Sequence, residues 1–154
     1  MTTPLSPEPT DAAVSPPPAV DPTKAPSPPF EFNREQHAFT AGPVQVYKRV
    51  DNRLDGALVL GPDKQPIPER TLGSFTFKVP TMDEFIDIGI RRAARLRGVA
   101  VDGMTAYYTE ALAALPLVVL SKPEDWNWDK LYYPKDMGAV LALFEAYNAG
   151  LEQF

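Results

Sequence analysis

Residues 73–98, GSFTFKVPTMDEFIDIGIRRAARLRG, run from an alternating strand through Pro80 into a capped helix, and no other stretch constrains the fold as tightly. Ser74, Thr76 and Lys78 alternate with Phe75, Phe77 and Val79, which predicts a strand with one buried and one wet face. Thr81 precedes Met82 and stands three residues before Glu84, the spacing at which each side chain satisfies an orphan backbone amide of the first turn. At about 100° per residue, Met82, Phe85, Ile86, Gly89, Ala93 and Leu96 fall on one stripe, with Asp83, Glu84, Asp87, Arg91 and Arg95 opposite. The pattern predicts that the apolar stripe packs inward, that Ile88 and Ile90 flank it half exposed, and that Asp87 pairs with Arg91 one turn on. Acidic residues come first and basic ones last, as the helix dipole favours, and Gly98 suits a left-handed residue ending the helix.

Two more helices follow. The first is expected from Asp102 to about Leu120, with Met104, Tyr107, Tyr108, Ala111, Leu112, Leu115, Val118 and Val119 on one broad face. Its near-absence of charge makes it the central helix, and Pro116 predicts a kink or break. The second is expected from about Lys135 to the end, on Met137, Val140, Leu143, Phe144, Tyr147, Leu151 and Phe154. Ala142, Ala146 and Ala149 would admit a close neighbour, and the stripe running to Phe154 predicts that the C-terminus docks on the body. Residues 31–80 read as β structure: a strand from Pro43 to Val50 with its faces undecided, a short strand at residues 57–60, a loop from Gly61 to about Arg70, then the Ser74 strand. The expected fold is mainly α with a small N-terminal β segment: a three-helix domain preceded by two or three short antiparallel strands. The chain's 154 residues leave room for one domain, residues 31–154, divided into a β segment (31–80) and a helical part (81–154).

Ten of the eighteen prolines fall in residues 1–30, where Leu5, Val14 and Val20 are the only large aliphatic side chains before Phe30. Such a stretch cannot bury enough apolar surface to offset its ordering entropy, so a disordered, polyproline-rich tail is expected. Residues 4–7 and 26–29 have PxxP spacing without a flanking arginine. The N-terminus has neither the basic start nor the apolar block of a secretory signal, and the longest uncharged apolar run, residues 111–120, is half the ~20 residues a membrane span needs. No cysteine is present, which fits a reducing compartment, and a net charge of −5 argues against a general nucleic-acid binder.

The residues that could carry chemistry do not assemble into a motif. His37 is the only histidine, and no serine sits in a Gly-x-Ser-x-Gly elbow. Gly56 and Gly61 have the spacing of phosphate-loop glycines, but Pro62 and Asp63 replace the lysine and hydroxyl residue that would hold phosphate and magnesium. Asp125, Asn127, Asp129 and Asp136 copy calcium-loop positions, yet Lys130 replaces the turn glycine and Trp126 and Trp128 intervene. A plain loop whose tryptophans pack over helix ends, or serve as interface anchors, is the alternative. Arg91, Arg92, Arg95 and Arg97 form the one basic cluster and read as a solvated helix face. No catalytic residue, metal ligand or cofactor is expected, and the chain reads as a non-enzymatic binding protein.

The order FTFKVPTMDEFIDIGIRRAARL, then TEALAALPLVVLSKPEDWNWDKL, then VLALFEAYNAGLEQF resembles tail assembly chaperones of long-tailed bacteriophages over about residues 72–154. The likeness lies in the order of elements and the aromatic positions; the proline-rich tail and the β segment depart from it. It implies a small helical domain without enzymatic activity, acting in the cytoplasm of an infected bacterial host. There it would coat the aggregation-prone tape-measure protein and recruit tail-tube subunits. Phe85, Ile88, Trp126, Trp128, Phe144 and Tyr147 are the expected partner-binding residues, with self-association as a further expectation. A structural virion component, such as a connector or minor tail protein, is the alternative.

Overall fold

The computed structural model describes residues 21–154. Four strands form one antiparallel sheet in the order β1 (Phe30–Asn33), β2 (Ala38–Tyr47), β3 (Pro68–Lys78) and β4 (Val119–Ser121). Three helices accompany it: α1 (Met82–Leu96), α2 (Gly103–Val118) and α3 (Met137–Gln153). The expectation of a mainly α fold with a small N-terminal β segment is therefore overturned. The sheet is the platform of the molecule, and its last strand comes from beyond the second helix.

The sheet is larger than expected because its central strands are long and its edges short. β2 begins at Ala38, five residues before the expected start at Pro43, and pairs Phe39 with Phe77 and Ala41 with Phe75 before bulges around Val44 carry it on to Tyr47. Gly42 permits the bulge: a Cβ there would stand 2.6 Å from the Cα of Ser74 on the neighbouring strand. Residues 57–60 make only single bridges, Arg49 with Leu58 and Leu60 with Pro66, instead of a strand. β4 takes up Val119, expected to be helical. α2 runs through Pro116, and its backbone turns extended at Val119, where β-branched residues suit a strand as well as a helix end. Residues 21–29 lie against the body, with the carbonyls of Pro22 and Pro29 accepting from the amides of Leu58 and Gly42. The remainder of the expected tail, with its PxxP at residues 4–7, lies outside the described residues.

One sheet face makes the core. Phe39, Phe75, Phe77, Ala41 and Val44 are almost wholly buried, while on the opposite face the hydroxyls of Thr40 and Thr76 meet at 2.9 Å. α3 packs on β2 and β3, α2 packs on α3, and α1 packs on α2. Phe77 packs at a tilt against Phe39 and Tyr147 at ring-centroid distances of 5.4 and 5.5 Å, and Tyr107 of α2 meets Phe144 of α3 at 5.2 Å. The central position of α2 explains its burial on two sides: Ala111 and Leu115 face the core, and Ala113 and Ala114 are also inaccessible. The C-terminus docks: the ring of Phe154 lies 6.1 Å from that of Phe32, with the Arg34 guanidinium 5.3 Å from its centroid.

α3 approaches the sheet closely at Gly150, where a Cβ would stand 2.1 Å from Cε2 of Phe39. That ring is held by Phe77 and Tyr147 and cannot swing away. Gly150→Ala is expected to lower the unfolding free energy by about 2 kcal/mol in urea titrations, because overpacking outweighs the ~1 kcal/mol gain in helix propensity.

Candidate interaction surface

α1 takes its setting from its first turn. The Thr81 hydroxyl accepts from the Glu84 amide at 3.2 Å, and a Glu84 carboxylate oxygen accepts from the Thr81 amide at 3.0 Å, completing the capping box. The other carboxylate oxygen pairs with the ammonium of Lys78 at the end of β3. The Lys78 hydrogen bond, followed by that of the Thr81 amide, holds the Glu84 carboxyl below its ordinary range. Glu84 is thereby tied to the sheet, and the residues that follow at i+4 spacing, Ile88, Arg92 and Leu96, turn toward α2. The helix closes at Arg97 and Gly98, both left-handed with φ of 53° and 73°.

This roll reverses the expected packing. Met82, Phe85, Ile86 and Ile90 are 75%, 63%, 54% and 62% exposed, whereas Ile88, expected to be half exposed, is buried. Gly89 and Ala93 between them are also exposed, so the apolar stripe faces outward almost throughout. A helix needs only one face on its own chain, and here the row anchored by the Lys78–Glu84 pair wins that place over the more apolar row. The expected Asp87–Arg91 pair is not formed. The ion pairs among the described residues are Arg53–Asp55, Arg70–Asp136 and Lys78–Glu84.

Of the six expected binding residues, Phe85 is exposed on this face and the other five belong to the interior. Ile88 faces α2. Trp126 is 4% exposed and packs edge-on against Phe75 at 5.6 Å, with the half-buried Trp128 against it at 5.5 Å. Phe144 and Tyr147 lie buried in α3, stacked at 6.1 Å. The tryptophans cover the sheet face beside Phe75, so the interface they anchor is internal. Met82 and Ile86 were visible in the sequence as members of the helical stripe and Ile90 as a residue flanking it, and what concealed their exposure was the direction in which the stripe faces.

A second surface feature is a groove of about 370 Å³ between α2 and the segment before α3, lined chiefly by Met104, Tyr108, Leu112, Leu131, Tyr133 and Val140. The buried Tyr108 hydroxyl has no hydrogen-bond partner there. Burial, and secondarily the negative charge of Asp136, raise its pKa. Asp136 is nearly inaccessible and fully engaged: it accepts from Arg70 at 2.7 Å and from the Tyr132 amide at 2.9 Å. The carboxylate that would be the last calcium ligand is thus part of a structural ion pair, and Asn127 caps the short turn at Trp128–Lys130 through the Asp129 amide. His37 is an exposed turn residue with φ of 49°. A charged cleft of about 470 Å³ beside β2 is lined by Arg49, Arg53 and Arg70, and each is committed: to the Gly56 carbonyl, to Asp55 and to Asp136. No described helix is long and apolar enough to cross a membrane. No protein-family model, curated protein or solved structure matches the chain.

Phe85→Ser is expected to leave the urea midpoint nearly unchanged, within about 0.5 kcal/mol, while Ile88→Ala costs about 2 kcal/mol or more. Hydrogen bonds from the Tyr132 amide and from Arg70 depress the Asp136 pKa, so its stabilisation is complete above the unfolded aspartate value near 4 and is lost as the pH falls through the folded value. Asp136→Asn should cost about 1–3 kcal/mol at pH 7 and flatten the acid limb of stability measured between about pH 5 and 2.

Proposed function

We propose that the protein is a non-enzymatic assembly chaperone of the phage-tail kind, acting in the cytoplasm of an infected bacterial host. Its client is the tape-measure protein, whose long apolar helices need cover until tail-tube subunits arrive. The observation that carries this reading is the outward apolar face of α1, where Met82, Phe85, Ile86 and Ile90 are more than half exposed on a capped helix. Such a face meets an amphipathic helix through side chains alone, as one helix packs on another, with anchors recurring at three- and four-residue spacing. The acidic balance of the chain keeps a protein with this much exposed apolar surface in solution. The order of elements over residues 72–154 adds the resemblance already described.

Coexpression with the tape-measure protein encoded in the same phage should raise that protein's soluble fraction severalfold, and Phe85→Glu combined with Ile86→Glu should abolish the gain while the chaperone itself stays folded. An unchanged soluble fraction with the native chain overturns the reading. Stoichiometric recovery of the chain from purified virions would instead make it a structural component.

A further inference from the structure

On the side turned away from its apolar stripe, α1 forms with α2 a groove of about 700 Å³. Arg91, Arg95 and Arg97 line it from α1 and the residue that closes it, Leu112, Ala113 and Pro116 line it from α2, and no carboxylate is among the lining residues. Arg92 lies on the other flank of Ile88 and takes no part. All three lining arginines are exposed, and none makes an ion pair among the described residues, in a chain with more acidic than basic side chains. The helix dipole accounts for arginines in the last turns of α1. It does not account for Arg91 and Arg95 set one turn apart, where like charges repel, on the wall of one concavity. Arg97 gives a second, independent sign: its φ of 53° is a left-handed backbone that glycine adopts without strain and arginine does not. The chain keeps a guanidinium at a strained position, beside a groove, with no described carboxylate to meet it.

We propose that this groove binds a short acidic segment of a partner protein, its carboxylates held by Arg91, Arg95 and Arg97 and an apolar side chain laid on Leu112, Ala113 and Pro116. Arginine suits such a ligand because its planar fork donates two parallel hydrogen bonds to one carboxylate. The apolar floor selects a peptide over a phosphate chain, since a peptide brings methyl and methylene groups to cover it. The basic path is also short. A nucleic acid follows a continuous run of positive charge, and here the run stops one turn back along α1, at the exposed Asp87 and then Asp83. The groove lies on the opposite side of α1 from Met82, Phe85 and Ile86, so an acidic partner and an apolar client occupy separate surfaces, and neither reading depends on the other.

Fluorescence anisotropy on the full chain, with a short labelled peptide repeating aspartate, glutamate and leucine, tests the site. Binding should saturate with a Kd of about 10–100 μM at low salt and weaken about threefold or more as the salt is raised to ~0.2 M. Arg91→Glu/Arg95→Glu should weaken it about tenfold or more, and a peptide with serine in place of leucine should bind about threefold more weakly. Arg97→Gly should cost about threefold in affinity while the thermal midpoint stays level or rises, a separation that a purely structural arginine would not give. Phe85→Ser, on the far side of the helix, should leave the affinity unchanged, so loss of this site and loss of the client are read apart. Near-ultraviolet dichroism confirms the fold of each variant. Absence of saturable binding overturns the proposal, as does binding indifferent to both arginine variants or to the loss of leucine. So does an oligothymidylate that binds more tightly than the acidic peptide through the same arginines, which would make the groove a nucleic-acid site.

Discussion

The structure depends on one buried sheet face, where Phe39, Phe75 and Phe77 lie beneath α3. Three large aromatic rings on adjacent central strands are wholly buried there: the helix closes over Phe39 and Phe77 at Gly150 and Tyr147, and Trp126 closes over Phe75. α2 then completes the other side of α3 through Tyr107 and Phe144. α1 is the outermost layer: it buries Ile88 against α2 and leaves its far side exposed among the described residues.

That ordering of layers accounts for what could be read from the sequence. The Phe75/Phe77 alternation, the Thr81–Glu84 cap and the long apolar helix around Leu115 are local signals; cap and helix reappear within a residue or two of their expected places, while the strand starts at Pro68, inside the expected loop. The strand lengths were less legible, because Ala38–Ala41 and Val119–Ser121 carry too few residues to show a period of two before a bulge or the chain's turn interrupts them. Trp126 reads as an exposed anchor from composition alone, yet the sheet face beside Phe75 needs a lid, and the loop supplies it.

The setting of α1 was illegible for a different reason. An amphipathic period states that a helix has an apolar side; it does not state which molecule that side meets. Ile88 with the Lys78–Glu84 contact fixes the roll, and a contact between residues on different elements leaves no mark in a helical wheel. Of the four residues of the exposed face, Phe85 alone was legible as a binding residue; Met82 and Ile86 read as core and Ile90 as a flank of the stripe. Reading the stripe as core and reading it as interface make the same sequence pattern, and only the position of α2 separates them.

The sheet's borders carry a consequence of their own. β1 has four residues and β4 three, while the apolar face of α1 lies on a helix whose amides and carbonyls are already satisfied by one another. A protein can thus be adhesive in its side chains and inert in its backbone. Contacts made this way come apart without a hydrogen-bonded ladder to unzip.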